Sequence, residues 1–527
     1  MRSAAIAIAL ATTTALLFTR PARAQGNYRS SPLGGRTALM GDTGVAFGRD
    51  GAAPFTNPAT IVRIHDRKIA LSVNLYSLSQ TSYSDFHRPG PVDATRFPAI
   101  SSTGTALGDT SLDALPSTTC FFFTIGSIGQ QEDDGEDGPK EKETRAGRQK
   151  AALCIANVER RDANLPSLNH NAGTGNGGLT VQGGSATRTW HRWLFGPSYA
   201  LNPTNDLSIG ASLSAAYTLS RFHDDNSTVT TGGPTGPIAS SFGESATGQS
   251  LDLNATIGAT YKLLDRYTLA ASVEVPSVHL TGRYRANSHE QYQDAGGPSS
   301  RVSGASGDYS APPPVRLAAG IGVKVSEALK VEIDGFYYFA RSEAIASLMH
   351  VEELDTSGAT ATNAPFDVHY AARSRGVANV AIGGEYFVTP TFSVLGGAST
   401  DLTSTPPLAT TNTLGTFDRD RLSRVSVSGG IGSYGGAGEI LIGTQLSYGW
   451  GQALAIDPYV IPNQYAAIDM RRYEVMVILA GSTTLRAIKR AVTQIVDPSA
   501  VPNAAPPSTP APAPLAPPAP EPASPAP

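Results

Sequence analysis

Residue patterns that mark enzyme active sites occur in this sequence, but each departs from its motif at a required position. The stretch 430–435 reads Gly-Ile-Gly-Ser-Tyr-Gly, the spacing of a dinucleotide-binding loop, yet it leads into a predicted strand where that motif needs a helix. His289-Glu290 begins a zinc-protease pattern, but Gln293 stands where the second histidine ligand is required. The chain contains no Gly-x-Ser-x-Gly. We therefore predict no catalytic residue, no cofactor and no metal, in a protein that is not an enzyme.

The other ionisable residues give no clearer site. Most histidines fall in predicted loops, where we expect solvated side chains: His87, His170, His223, His289 and His350. An insertion at 131–150 carries an acidic run followed by lysines and arginines. Such mixed charge predicts a solvated insertion facing the periplasm. A calcium loop is the alternative, although the spacing misses the EF-hand ligand pattern.

From Lys68 onward, apolar and polar residues alternate with a period of two, which predicts that β-strands position the residues named above. In Leu207–Tyr217 the apolar residues alternate with serine and glycine, and in Val331–Phe339 they alternate with Glu332 and Asp334. The apolar sides run about ten residues and end in tyrosine or tryptophan, as in a tilted strand that crosses a bilayer. Lipid on one side and a polar lumen on the other would require this arrangement.

The connections between these strands alternate in length. The short ones are Asn202–Asp206, Leu263–Arg266, Val325–Leu329, Val388–Thr391, Tyr434–Gly438 and the anomalous 127–149. The long ones are 81–114, 163–187, 223–246, 288–306, 344–367, 401–420 and 452–466. Thirteen connections join about fourteen strands, and their edges must pair in lipid. We predict an all-β fold, a transmembrane antiparallel β-barrel; a soluble sandwich or propeller is the alternative.

The N-terminus predicts export. An apolar run from Ala4 to Phe18 precedes Ala22-Arg23-Ala24, so we expect a signal peptide cleaved after Ala24. The two cysteines, Cys120 and Cys154, lie on strands that flank the insertion, and they are either a disulfide or unpaired wall residues. The net charge of −4 suggests no nucleic-acid partner.

The segment from Arg36 to Arg63 differs from the strands that follow it. It is rich in small residues and has neither the apolar face of a core helix nor the alternation of a strand. It ends near Asn57-Pro58-Ala59, a turn signal in which proline restricts the residue before it. A compact, glycine-rich segment ahead of many amphipathic strands predicts a plug, or hatch, inside the barrel.

This segment resembles the N-terminal hatch of the FadL family of outer-membrane transporters for hydrophobic compounds. That pattern combines small residues, an acid, an aromatic residue and Asn-Pro-Ala. The matching positions are Ala38, Gly41, Gly44, Val45, Ala46, Asp50, Ala52, Phe55, Asn57, Pro58 and Ala59. The family usually carries a second acid beside Asp50, where this chain has Gly51.

The resemblance implies a bacterial outer-membrane channel for passive uptake of long-chain fatty acids or other hydrophobic compounds. It implies a monomer in contact with membrane lipid and lipopolysaccharide, with a hydrophobic small-molecule ligand. Candidate hatch residues are Gly41, Gly44, Asp50, Asn57 and Pro58. In FadL-like barrels a strand kink makes a side opening, so Pro276 and Pro312 are candidate kinks; alternatively both lie above the membrane where loops begin. A structural or secretion-associated barrel and an outer-membrane hydrolase are the alternative functions.

These interpretations divide the chain into five parts. We expect a signal peptide over 1–24, a hatch over 25–66 and the barrel over 67–482. Leucine, isoleucine and valine recur at helical spacing over 483–497, which predicts a short amphipathic periplasmic helix. Residues 498–527 are rich in proline and alanine, which predicts a disordered tail.

Overall fold

The computed structural model describes residues 27–28, 30–64, 68–83, 107–127, 147–173, 179–231, 236–340, 342–355, 362–363, 366–405, 420–435, 438–457 and 464–484. The predicted signal peptide, most of the charged insertion, the predicted helix after 484 and the proline-rich tail lie outside the described residues. No helix among the described residues is long and apolar enough to cross a membrane.

The described chain begins with three short helices, and strands follow. The helices are α1 (Arg36–Leu39), α2 (Ala53–Thr56) and a 3-10 helix at Pro58–Arg63. The first strands are β1 (Lys68–Tyr83), β2 (Leu107–Ser127), β3 (Arg148–Gly173), β4 (Leu179–Leu201), β5 (Leu207–Thr231), β6 (Ile238–Leu263), β7 (Tyr267–Glu274), β8 (Val278–Asp294), β9 (Gly297–Tyr309) and β10 (Arg316–Lys324). The others are β11 (Leu329–Tyr338), β12 (Ser342–Asp355), β13 (Thr362–Asn363), β14 (Phe366–Arg373), β15 (Val377–Thr389), β16 (Phe392–Asp401), β17 (Arg421–Gly435), β18 (Gly438–Asp457) and β19 (Gln464–Thr484).

These segments form one closed antiparallel barrel. β7 with β8, β9 with β10, β11 with β12, and β13 with β14 and β15 are successive pieces of four wall strands, so the wall has fourteen strands. β1 pairs with both β2 and β19, which closes the ladder. Closure leaves no strand edge unpaired in lipid. The predicted fourteen-stranded antiparallel barrel is confirmed.

Side chains alternate across the wall as the sequence pattern predicts. On β5, Ser208 and Ser212 are buried toward the lumen, whereas Ile209 and Leu213 point outward and are 40% and 46% exposed. From Leu207 to Tyr217 the strand rises roughly 33 Å, which at a tilt near 40° spans the ~25 Å apolar band of such barrels. Tyr217 stacks on Trp193 of β4 at a ring distance of 5.8 Å, and this pair marks the outer aromatic band.

The predicted short connections agree with the structure, but several predicted long loops are wrong. β4 ends at Leu201 and β5 begins at Leu207, as expected. The predicted loop at 288–306 is instead a hairpin, since β8 and β9 are joined by residues 295–296. Histidines predicted in loops consequently lie on strands, among them His223 and His289. Above the membrane both faces of a strand can be polar, so the apolar alternation that reveals a strand is missing there.

Four adjacent wall strands are interrupted at one level. On the side of the short turns, the four pieces are β7, β10, β11 and β15. Their terminal residues pair in a single row across the wall: Glu274 with Arg316, Arg316 with Tyr338, and Tyr338 with Val377. Pro276 lies in the first interruption and Pro312 in the second. Proline lacks an N–H, so it leaves no unpaired donor where a ladder stops. Tyr337 and Phe339, in edge contact at 5.0 Å, place this level at the outer aromatic band.

Candidate functional site

The N-terminal residues 27–28 and 30–64, which we call the plug segment, lie in the lumen. Its 3-10 helix contacts β3, β4, β5 and β6, and α1 contacts β16, β17, β18 and β19. Contacts on both sides of the ring put the segment inside the wall. The plug segment is almost wholly buried, including the charged side chains of Arg36 and Asp50.

Two carboxylates of β11 hold the backbone of the plug segment. Asp334 accepts hydrogen bonds from the backbone N–H groups of Gly44 at 2.8 Å and Val45 at 3.0 Å. Glu332 accepts from those of Ala46 at 2.5 Å and Phe47 at 3.1 Å. Alternation points both acids into the lumen, where their side chains are fully buried. Their place on the polar face was visible in the sequence, but their partners were not.

Glu385 of β15 provides a third luminal anchor. Its carboxylate lies 2.9 Å from Nε of Arg36 and 3.1 Å from a guanidinium nitrogen of Arg49. Ser393 Oγ donates to it at 3.0 Å, and the hydroxyl of Tyr434 also bonds to it. Two cations and two hydroxyl groups therefore compensate this buried charge, as burial of a carboxylate requires.

Asp50 organises the plug segment from within. Its carboxylate accepts hydrogen bonds from the backbone N–H of Thr37 at 2.8 Å, from Thr37 Oγ1 at 3.0 Å and from the N–H of Ala52 at 3.1 Å. Burial raises the pKa of Asp50, although these hydrogen bonds and the charge of Arg36 oppose the rise. Gly34 has φ +66, and a Cβ there would overlap the Asp50 carboxylate.

Asn57 and Pro58 fix the end of the segment against the wall. Asn57 Nδ2 donates to Val45 O at 2.7 Å and to Ala259 O of β6 at 3.2 Å. Its Oδ1 accepts from the Ala59 N–H at 3.1 Å, which caps the 3-10 helix. Pro58 packs where β5 carries Gly210, and a Cβ there would overlap the Pro58 backbone.

Gly41 and Gly44 adopt backbone conformations that other residues rarely reach. Gly41 has φ +68 and lies so close to Ala398 of β16 that a Cβ would overlap its backbone. Its N–H donates to Ser428 Oγ at 2.9 Å. Gly44 has φ +141. Proline fixes φ near −65°, so a proline at either position would displace the segment.

A cavity of about 130 Å³ lies in the lumen near the outer end of the plug segment. Residues that line it include Arg188, Trp190, Phe222, Asp420, Arg424 and Glu474. Arg188 of β4 pairs at 3.4 Å with Asp420, which precedes β17 on another part of the ring. Arg424 lies 3.3 Å from both Asp401 and Glu474. The cavity thus combines aromatic surface with paired charges, which sequence reading missed because parts of it fell in predicted loops.

Three side chains of hydrolase type meet on β6 and β8, which sequence reading also missed. Ser250 Oγ donates to Asp252 Oδ2 at 2.6 Å, and His279 Nδ1 lies 2.9 Å from Asp252 Oδ1. Both groups therefore bond to the carboxylate, and among the described residues no hydrogen bond joins the serine to the histidine. A serine nucleophile needs a base on its own hydroxyl. The arrangement as it stands does not activate Ser250.

Cys120 and Cys154 are joined in a disulfide between β2 and β3. The two residues are directly opposite in the ladder register. Both are buried, and Cys120 Sγ lies 3.4 Å from the Gly51 carbonyl of the plug segment. The disulfide therefore belongs to the surface against which the plug segment packs.

No protein-family model matches this chain, and no curated protein sequence matches it. A solved structure of a Pseudomonas aeruginosa FadL homologue is 14% identical, covers 87% of this chain and 99% of its own, and has a TM-score of 0.49. The Pseudomonas putida toluene transporter TodX is 14% identical, with 87% and 100% covered and a TM-score of 0.48. The Ralstonia pickettii toluene transporter TbuX is 15% identical, with 86% and 98% covered and a TM-score of 0.45. The N-terminal motif of this chain resembles that of the FadL family, and one of these similar solved structures is of a FadL homologue.

Proposed function

We propose that this protein is a bacterial outer-membrane channel for passive uptake of hydrophobic compounds, with the plug segment as its hatch. The observation that carries the proposal is a closed barrel whose lumen is filled by a segment bonded to Glu332, Asp334 and Glu385. A barrel of fourteen strands is wide enough to leak unless it is filled. A filler held by hydrogen bonds and ion pairs, and not by the wall ladder, can move while the wall stays intact.

The cavity suits a ligand that is amphipathic. Trp190 and Phe222 offer aromatic surface, and the arginine–carboxylate pairs beside them offer polar groups. Long-chain fatty acids and aromatic compounds are the substrate classes that we propose. A ligand shifts the plug segment only if it binds the shifted state more tightly than the resting one.

The aligned strand interruptions are a candidate exit from the lumen. Four adjacent ladders stop at one level, and Val278 and Leu280 just above are 60% and 53% exposed. We propose this region as a side opening toward the membrane. The alternative is that the interruptions separate the membrane wall from the strands above it and open nothing.

A tether between plug and wall tests the gating directly. Ser272 Oγ of β7 lies 2.7 Å from the carbonyl oxygen of Thr56. In the pair Thr56→Cys and Ser272→Cys, a disulfide whose formation is first established by thiol labelling should lower uptake of a long-chain fatty acid and an aromatic hydrocarbon, and a reductant should restore it. Each single cysteine variant, treated with the same reductant, is the matched control and should keep wild-type uptake.

Removal of the hatch gives the complementary result. Deletion of Arg36–Ala59 should leave an inserted barrel that leaks small polar solutes. A structural barrel would show the same leak but no change in hydrophobic uptake. Equal uptake by cells with intact, tethered and absent protein would rule out transport of these two substrates.

A hydrolase is the second candidate, and the Ser250–Asp252–His279 cluster is the observation that favours it. Release of fatty acid from an ester by purified protein, abolished in Ser250→Ala, would support this reading. We expect no such turnover, since Ser250 bonds to the carboxylate and not to the imidazole.

A further inference from the structure

The outward face of β5, β6 and β8 carries an arginine cluster above the outer aromatic band. Arg221 of β5 and Arg285 of β8 are both in register with Thr247 of β6, so they occupy one row across the wall. Arg283 is in register with Gln249, one row nearer the membrane. We call Arg221, Arg283 and Arg285 the arginine patch. All three are exposed.

Alternation settles that the patch points away from the lumen. Phe222, next to Arg221, packs with the luminal cluster that contains Trp190, Tyr284 and Tyr309. Tyr284 lies between Arg283 and Arg285 and is only 1% exposed. Neighbouring residues on a strand face opposite sides, so the three arginines project outward.

The register also fixes the height of the patch. Trp193 is in register with Tyr217, and Tyr217 with Leu251. This row of the aromatic band lies one row below Arg283 and two rows below the other two arginines. Rows on one face are separated by about 6.6 Å along a strand. Aromatic residues mark the boundary between acyl chains and headgroups, so the arginine patch lies at headgroup level.

The patch keeps an excess of positive charge. Of two nearby acids, Asp162 is paired with Arg160 at 2.8 Å, and Asp225 lies 2.8 Å from His223, which is not a permanent cation. Asp308, on the adjoining β9, forms no ion pair with the described residues. Within the described parts of the chain, the three arginines also make no hydrogen bond or ion pair. Among the described residues, two carboxylates without a lysine or arginine partner, Asp225 and Asp308, thus stand against three guanidinium groups.

From these observations we propose that the arginine patch binds the phosphate groups of lipopolysaccharide. The proposal rests on the outer-membrane location in our proposed function, because that lipid forms the outer leaflet. Guanidinium groups bind phosphate through paired, charge-assisted hydrogen bonds. Three of them within two rows and three adjacent strands can contact several phosphate oxygens at once. The lipid chains would then lie against the apolar band below.

The test compares lipopolysaccharide binding by full-length protein in detergent. The variant Arg221→Gln/Arg283→Gln/Arg285→Gln should bind about tenfold more weakly or worse, from three surface contacts of modest strength. Arg266→Gln is the matched control. It removes an exposed arginine from a short turn at the opposite end of the barrel, and it should bind as the wild type does. Binding by the wild type should weaken as salt rises.

Two further arms identify the ligand group. Lipopolysaccharide treated with phosphatase should bind wild type and triple variant equally weakly, and millimolar inorganic phosphate should not displace the intact lipid. Equal binding of intact lipid by wild type and triple variant overturns the proposal, as does displacement by inorganic phosphate alone. The triple variant should keep the heat-dependent gel shift of a folded barrel, which excludes misfolding as the cause.

Hydrophobic uptake measured on a second variant separates the two proposals. We expect Arg283→Gln/Arg285→Gln to take up the aromatic hydrocarbon at the wild-type rate, since neither residue lines the luminal cavity, whereas Arg221 does. If the wild type binds lipopolysaccharide but transports nothing, only the uptake proposal fails. If it transports but does not bind, only the lipid site fails.

Discussion

The plug segment is held by two neighbouring regions of the wall in different ways. The carboxylate wall, Glu332 and Asp334 on β11 with Glu385 on β15, reaches it through hydrogen bonds and ion pairs. The second region, which we call the glycine wall, has no side chains where the plug segment packs against it. It consists of Gly397 on β16, Gly430 on β17 and Gly443 on β18. A Cβ at Gly397 would overlap the backbone of Met40, and one at Gly430 or Gly443 would overlap Leu39.

The difference lies in what each region recognises. The β11 acids bind backbone N–H groups, so they fix the course of the plug chain whatever its side chains are. At the glycine wall the plug segment approaches the wall backbone closely, so packing there depends on the shape of the segment. Polar anchors can exchange their partners for water as the segment moves, whereas steric fit is lost as soon as the surfaces separate.

The largest effect should follow removal of both β11 anchors. In Glu332→Ala/Asp334→Ala the four backbone N–H groups from Gly44 to Phe47 lose their acceptors, at a cost of about 1–3 kcal/mol for each buried donor. The segment should leave its place, and single-channel conductance to small ions should rise strongly. Ile333→Ala, between the two acids but 51% exposed on the lipid side, is the matched control. Wild-type conductance in the double variant would contradict the role of these anchors.

The disulfide should have the next largest effect, on the wall and not on the plug. Replacement of both Cys120 and Cys154 by serine removes a link across 34 residues. Such a link typically stabilises a fold by about 2–4 kcal/mol. We expect a lower midpoint of thermal unfolding with unchanged conductance. Thiol labelling of unreduced, denatured protein should find no free cysteine; labelled cysteines would instead make both of them unpaired wall residues.

A single methyl group should probe the glycine wall. Gly397→Ala forces the plug segment or the wall to shift, at about 1–3 kcal/mol for overpacking. Protease cleavage within the plug segment should become measurably faster. Gly396→Ala is the matched control, because its Cβ would lie 3.8 Å from the nearest atom, the carbonyl oxygen of Ser428. Equal cleavage rates in the two variants would show that close packing on this side is unimportant.

The smallest effect should come from Tyr434→Phe. It removes one of several hydrogen bonds to Glu385, worth about 0.5–1.5 kcal/mol. Hydrogen exchange of plug amides near Arg36 and Arg49 should accelerate several-fold. Tyr448→Phe, in the outer aromatic band beside Trp450, should leave that exchange unchanged. An effect as large as that of the Glu332/Asp334 variant would mean that Glu385 is the dominant anchor.

The sequence by itself determined the membrane-level wall. A period of two, apolar segments of about ten residues and short turns are local properties, so they can be read without knowing what a strand pairs with. This explains why the turn between Leu201 and Leu207 and the number of wall strands were predicted correctly. The same rule failed above the membrane, where residues 288–306, in the upper parts of β8 and β9, have polar residues on both faces and were interpreted as a loop.

Only the tertiary structure decided which residues meet in the lumen and on the outer surface. Asp334 bonds to a residue 290 positions away, and no local pattern carries that information. Gly41 and Gly44 were candidate hatch residues, and the structure shows that each has a positive φ, that Gly41 lies against the wall backbone and that Gly44 lies against Thr37 of the plug segment itself. Arg221 and Arg285 join one surface because β6 lies between their strands. Ladder register and barrel closure act over long sequence separations, and they set contacts that alternation alone leaves open.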